Sequence, residues 1–355
     1  MAGSRPPQRK QSSPGPRRSG AGRGLKGTSQ RDAQPLGSAP PHTWDAVMKA
    51  ARQLFPTGNR FGVLAYGIGR RRVKGEPGEE TTLTVYVRRK QERPEHPVPD
   101  LVFRDRRRWN CLAPDVVAVG ALPTASYSTI PEFEGLRIGA TVNAVAPSGV
   151  LWAGGVTALL TSAGSHEPRW LLTAGHLFER GAWQTRVFAA LPGDKPRVVG
   201  HPVVNLLEAP ASSLPFDAAL VELTDEGRQL ARKTAQLRTA GVALEGWTGA
   251  PVRMLRPTTN AWASSRSEAC LFDVHFPGSA FGPISLRGLI ATETPISIEG
   301  DSGAALLTPG ESRQVLGSCC GALPAAHSFF QPLAPAIQRL EQRLGVRLHL
   351  WEKPA

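Results

Sequence analysis

From residue 136 onward the chain is cut into short apolar runs by glycine, proline and serine. They read "GATVNAV", "GVTALLT", "RWLLTAG", "TRVFAAL", "DAALVEL", "APVRMLR", "ACLFDVHF", "LRGLIAT", "GAALLT" and "QVLGSCC". Runs of this length suit strands and are too brief for ordinary helices. Many short strands with few helical stretches restrict this region to a β-sandwich or barrel. The end differs. "LAPAIQRLEQRLGV" places Leu333, Ile337, Leu340 and Leu344 on one helical face, with Pro335 in the first turn, where proline is tolerated. No internal repeat at a fixed period is visible.

The first third has another texture. Residues 1–40 are rich in Pro, Gly, Ser and Arg and nearly devoid of large apolar side chains. Such a segment buries too little surface to offset its conformational entropy, and disorder is expected. Residues 41–130 read as a small α+β module. "TWDAVMKAARQLF" is an amphipathic helix with Trp44, Val47, Ala51 and Leu54 on one face and Thr43 as N-cap. "FGVLAYGIG" and "TTLTVYVRR" are strands joined by a Gly-Glu-Pro-Gly turn, and "PDVVAVG" is a third strand. Residues 131–350 then form the β-rich domain.

The net charge of +13 resides in the first 130 residues. Residues 1–40 hold eight Lys/Arg against one acid, residues 41–130 fifteen against nine, and the remainder nineteen of each. A basic tail of this kind keeps a protein soluble, and it also gives weak contact with nucleic acid or an anionic surface. The arginine runs at 70–72 and 106–108 lack the interleaved aromatics that stack bases, and they read as solvated strand ends and loops. Four cysteines (Cys111, Cys270, Cys319, Cys320) form neither a disulfide framework nor a zinc spacing. Cys319 and Cys320 are expected as small buried strand residues. No apolar stretch suits a membrane span or a signal-peptide core, so a cytoplasmic protein is expected. Neither a metal nor an organic cofactor is expected.

The chemistry is concentrated in three places. "GDSG" at residues 300–303 brackets Ser302 with glycines. A hydroxyl is a poor nucleophile until a base takes its proton, and a tight turn around it can aim backbone N–H groups at a developing oxyanion. Gly300 and Ser302 would supply those donors. The base is His176 in "RWLLTAGHLF", held at the end of an apolar strand as general-base work requires. The other histidines sit in polar stretches or lack the small-residue turn. The third member is Asp217 in "LPFDAALVEL", a carboxylate in an apolar setting that must be paired to be tolerated.

"LTAGH", "FDAALVEL" and "GDSGA", in that order, resemble the trypsin/chymotrypsin-like serine proteases of the PA clan over roughly residues 136–345. The resemblance implies a mainly β chain: a double six-stranded antiparallel β-barrel with the triad in the cleft between the barrels, and a C-terminal helix. It implies a serine endopeptidase that hydrolyses peptide bonds in protein or peptide substrates through an acyl-enzyme. By the same analogy Ile296, Gly317 and Ser318 would lie along the specificity pocket. The 41–130 pattern resembles the segment preceding the protease domain in narrow-leaf-type proteases of plants and their bacterial relatives, which are intracellular. Gly-Ala-Ala after the serine departs from the common Gly-Gly-Pro, and Glu299 would sit at the cleft edge.

Two further readings stand beside this one. "Arg137-Ile138-Gly139-Ala140" resembles the cleavage site of digestive-type zymogens, whose freed amine would pair with Asp301; the opposing reading is an ordinary first strand with Asp301 bonded elsewhere. The chain could also be a catalytically silent scaffold, or act chiefly through nucleic-acid or anionic-surface binding by its basic first third. The module at 41–130 is the candidate for restraint or targeting, by its position.

Overall fold

A computed structural model describes residues 41–73, 76–90, 95–105, 108–120, 122, 134–208, 214–243, 249–268, 272–277, 279, 281–324 and 326–352. The expected tail at 1–40 and Cys270 lie outside the described residues. The first described element is helix α1 (Pro41–Leu54). It begins two residues before Thr43, which therefore lies in the first turn rather than at the cap. Val47, Met48 and Ala51 are buried against the hairpin of β1 (Val63–Val73) and β2 (Glu76–Val87), with Ile68, Leu83 and Val85 opposite them. The hairpin runs further than the sequence suggests. Val73 pairs with Glu76 and Arg72 with Pro77, so the Glu-Pro-Gly expected in the turn belongs to β2. The pairing is irregular between Arg70 and Arg72, and proline is tolerated at such a break. The two-stranded hairpin β3 (Leu101–Asp105) and β4 (Arg108–Leu112) buries Leu101 and Phe103 in the same core, and β5 (Asp115–Ala118) runs parallel to β2.

The first barrel contains β6 (Thr141–Val145), β7 (Leu151–Gly155), β8 (Ala158–Ser162), β9 (Trp170–Thr173), β10 (Arg186–Ala189), β11 (Arg197–Asn205) and β12 (Ala219–Leu223). The path β8–β9–β12–β11–β10–β6–β7 is antiparallel throughout. β7 and β8 are two halves of one bent strand. At the bend Val156 exchanges backbone hydrogen bonds with Gly139 and Ala140, and Thr157 donates to Leu172. That corner closes six strands around Val142, Leu159, Leu171, Val187 and Val221.

Helix α2 (Asp225–Lys233) follows, with Thr224 accepting from Gly227 N–H as its N-cap. The strand pattern gave no sign of it, although Thr224, two acids in the first turn and two bases in the last spell out a short helix. The second barrel uses β14 (Pro251–Leu255), β15 (Trp262–Arg266), β17 (Ile284–Ala291), β18 (Ala305–Leu307), β19 (Arg313–Leu323) and β20 (His327–Pro332), after β13 (Thr239–Val242) has paired in parallel with β19. Its path is β15–β14–β18–β19–β20–β17, and a Ser267–Thr292 bridge returns β17 to β15. The double six-stranded barrel expected from the resemblance is thus present in the strand pairing. Helix α3 (Leu333–Leu344) packs Leu333, Ala336 and Leu340 into the core shared by the two barrels, and β21 (Leu348–Leu350) adds to β8.

β16 (Phe272–Phe276) joins the α+β module to this scaffold. One edge pairs with β17, and the other pairs with β1, with Ala65 opposite Val274 and Tyr66 opposite Asp273. The sheet therefore runs on from the second barrel through β16, β1, β2 and β5. Among the described residues no helix is long and apolar enough to cross a membrane.

Asp273 locks this junction. Its buried carboxylate accepts from Arg52 Nε at 2.8 Å and Nη2 at 3.2 Å on α1, from Tyr66 Oη at 3.3 Å and from Gly288 N at 3.1 Å. Burial and the negative neighbour push the Tyr66 phenol upward, so it remains a donor. Asp273→Ala should lower stability by about 2–4 kcal/mol in urea unfolding, because it strands donors in a dry junction. An unchanged midpoint would contradict this role.

Candidate active site

His176 sits in a single 3-10 turn, Gly175–Leu177, directly after β9. Asn205, at the end of β11, holds that turn: its Nδ2 donates to Gly175 O at 2.9 Å, and its Oδ1 accepts from Leu207 N. A Cβ on residue 175 would come within 2.5 Å of Asn205 Oδ1, which explains the glycine in "TAGH". Asp217 lies just before β12, which pairs with β9, so the pairing of two strands brings residues 176 and 217 together. Asp217 Oδ1 accepts from His176 N at 2.9 Å, and Oδ2 lies 2.7 Å from Nδ1. An ionised carboxylate only accepts, so Nδ1 carries the proton and Nε2 is left as an acceptor. Ser302 Oγ lies 2.7 Å from Nε2.

Ser302 belongs to the second barrel. Its loop crosses the seam: Gly155 N donates to Ser302 O at 2.6 Å, and Thr157 Oγ1 donates to Gly303 O at 2.6 Å. The approach is close enough that a Cβ at Gly155 would meet Ala304 N at 2.8 Å. Gly300 and Gly303 take φ of +92° and +82°, the left-handed region that favours glycine. Two barrels thus meet with the His–Asp pair on one and the serine on the other. The fold is that of the trypsin/chymotrypsin-like serine proteases.

No family model matches the chain, and no curated protein matches it. Several solved protease structures align with part of the chain. A Nocardiopsis protease is 19% identical, with 61% of this chain and 100% of that chain covered and a TM-score of 0.41. A chymotrypsin from Cellulomonas bogoriensis is 18% identical, with 61% and 100% covered and a TM-score of 0.39. An inactivated protease paralogue of the scabies mite is 15% identical, with 60% and 99% covered and a TM-score of 0.36.

The nucleophile loop is fixed from both ends. Ser328 Oγ accepts from Ile296 N at 2.9 Å, Ser297 N at 2.8 Å and Ser297 Oγ at 2.7 Å, and Arg256 Nε donates to Ile296 O at 2.7 Å. Behind Ser328, buried His327 donates from Nδ1 to Thr292 O at 2.6 Å and accepts at Nε2 from Tyr86 Oη of β2. The extra sheet thus reaches to within two residues of the loop's anchor. Asp301 closes the loop on itself. Its oxygens accept from Thr258 Oγ1 at 2.8 Å and Ile298 N at 2.9 Å, with Arg256 Nε at 3.9 Å. Asp301 is therefore bonded within the fold rather than to Ile138, whose side chain packs in the core between the barrels.

Three expected pocket residues are placed elsewhere. Ile296 packs into the second-barrel core with Met254, Ile290 and Phe330. Gly317 is paired on both sides in β19, and a Cβ there would lie 2.7 Å from Gln331 O. Ser318 is buried at the barrel seam, 2.8 Å from Thr157 Oγ1. The strand passes the site two residues later. Gly303 N donates to Cys319 O, and the Cys320 thiol donates to Ser318 O at 3.6 Å, with the Asp217 carboxylate nearby. Burial, reinforced by that carboxylate, pushes the Cys320 thiol far above its ordinary value, so it acts as a neutral donor. Cys319 and Cys320 are buried strand residues as expected, and the nearness of Cys320 to the Asp217 carboxylate is not visible in the sequence. Gln331 adds a further support, accepting from Asp217 N at 3.3 Å. Glu299 is exposed, and among the described residues no cluster of three or more metal-ligating side chains occurs.

Burial raises the Asp301 carboxyl above its ordinary value of 3.8, while its donors pull it back. A raised value means that the fold disfavours the charged form. Asp301 therefore subtracts stability as pH climbs from the ordinary value through the raised one. Thr258→Val removes a donor to the charged form. It should cost about 1–2 kcal/mol at neutral pH in urea unfolding. The loss should shrink below the ordinary value of 3.8, where the carboxyl is protonated in both states. A pH-independent loss would contradict the assignment.

Proposed function

We propose that the protein is a serine endopeptidase. The observation that carries this is the continuous hydrogen-bonded line Asp217–His176–Ser302, 2.7 Å at each step, at the seam of two barrels. Ser302 Oγ attacks the scissile carbonyl while His176 Nε2 takes its proton. Asp217 stabilises the imidazolium and keeps Nδ1 protonated. The tetrahedral oxyanion is held by the N–H groups of Gly300 and Ser302, on the turn that the positive φ of Gly300 creates. His176 then protonates the leaving amine, and water, deprotonated by the same nitrogen, hydrolyses the acyl-enzyme. The substrate is a protein or peptide.

Ser302, His176 and Asp217 are all buried, with 0%, 1% and 0% of their surface exposed. A peptide must displace part of the surrounding surface to reach Oγ. This burial is also what a catalytically silent scaffold would present, and kinetics separate the two readings. With a casein or peptide-library substrate, Ser302→Ala and His176→Ala should reduce kcat by about 10⁴- to 10⁶-fold, and Asp217→Asn by about 10⁴-fold, with melting temperatures preserved. Hydrolysis that survives Ser302→Ala would remove the proposal, as would wild-type protein that never turns over any peptide.

A further inference from the structure

We propose that the α+β module carries a second site, for a phosphate-bearing small molecule of nucleotide size. A cavity of about 690 Å³ opens in this module, built from residues 60–62, 87–90, 95–98 and 116. None of these residues touches the serine site. The volume lies within the range of small-molecule pockets, roughly 300–1,000 Å³. Its walls mix polar groups with the apolar side chains of Phe61, Val87, Val98 and Val116. Arg60, Arg88, Arg89 and Lys90 surround it, with Glu95 as its acid.

The charge there is uncompensated, unlike that of other arginines in the module. Arg52 pairs with Asp273, Arg70 with Glu293 and Arg71 with Glu80. Among the described residues, no acid pairs with Arg60, Arg88, Arg89 or Lys90. Four cations held around one cavity repel one another, and a ligand with two or more negative charges relieves that repulsion. Guanidinium groups also match phosphate oxygens in a bidentate manner. The apolar side chains require a body beyond the phosphates.

The cavity is built on locked backbone. Asn59 Oδ1 accepts from Phe61 N at 3.2 Å and Val63 N at 3.1 Å, and its Nδ2 donates to Val63 O at 3.1 Å, fixing the turn that bears Arg60 and Phe61. Phe55 packs edge-on against Phe61 at 6.0 Å, and the Arg60 guanidinium lies 5.1 Å from the Phe61 ring centre. On the other side, Val119 N donates to Val87 O and Gly120 N to Arg88 O, pinning the start of the Arg88–Lys90 segment. The backbone under the rim is thus fixed, while the exposed side chains of Arg60, Arg88, Arg89 and Lys90 order around the ligand on binding. The basic composition of the first third thus acquires a specific location, which the linear arginine runs did not indicate.

Calorimetry on the full chain with ATP, pyrophosphate and a thymidylate oligomer tests this. One saturable ATP site is expected, weakening with salt. Pyrophosphate should bind more weakly, because it leaves the apolar side chains uncovered. Arg88→Glu with Arg89→Glu should weaken ATP by about 10- to 100-fold, as two charge-assisted contacts are lost, while Arg343→Glu on α3 leaves it unchanged. Absence of saturable ATP binding would overturn the proposal. So would binding unaffected by the double variant, which would place the anion on the tail, or pyrophosphate binding as tight as ATP. Tighter binding of the oligomer that grows with its length would also overturn it, pointing to nucleic acid instead. Independently of any variant, ATP should protect Arg88 and Arg89 from phenylglyoxal in mass spectrometry of the wild-type protein; unprotected arginines would contradict the site.

Discussion

The buried carboxylate of Asp217 is the constraint on which the site depends. An ionised group in a dry seam is tolerated only when its lone pairs are filled, and here the backbone N–H and Nδ1 of His176 fill them. Both donors come from the turn after β9, while Asp217 lies just before β12. Satisfying one carboxylate therefore orients His176 on the first barrel toward Ser302 on the second. It also sets the tautomer of His176, and through it the direction of the Ser302 hydroxyl proton. Asn205 and Gln331 support the same point from β11 and β20.

The nucleophile loop solves a related problem on the second barrel. Tight turns expose unsatisfied backbone groups, and this one fills them from fixed neighbours. Ser328 takes the N–H groups of Ile296 and Ser297, Arg256 takes the Ile296 carbonyl, and Asp301 takes Ile298 N and Thr258. Behind Ser328, Tyr86 of the added sheet reaches His327. The module at the start of the chain is thus joined to the barrel by strand pairing, by the Arg52–Asp273 pair and by this buried contact, while it also carries the cationic cavity.

The parts legible in sequence were those set by local chemistry. His176, Asp217 and Ser302 each sit beside a short apolar strand, and glycine spacing marked the turns, so residue type and neighbours were enough. The barrel strands and α3 followed from periodicity. What could not be read depends on partners far apart in the chain. Nothing local in "LFDVHF" says that β16 pairs with β1, about 200 residues earlier. The pocket assignment of Ile296, Gly317 and Ser318 assumes a loop register, whereas Ile296 packs in the second-barrel core, Gly317 is paired on both sides and Ser318 lies at the seam. α2 differs: its cap and charge pattern are present in the sequence, but they are short and lie within a region dominated by strands.

The central claim is that Ser302 is an activated nucleophile. It is tested most directly by labelling the purified full-length protein with a fluorophosphonate and locating the adduct by peptide mass spectrometry. The account predicts a single adduct on Ser302, lost in His176→Ala and forming slowly because the hydroxyl is buried. A folded protein that takes no label, or takes it elsewhere, would contradict it.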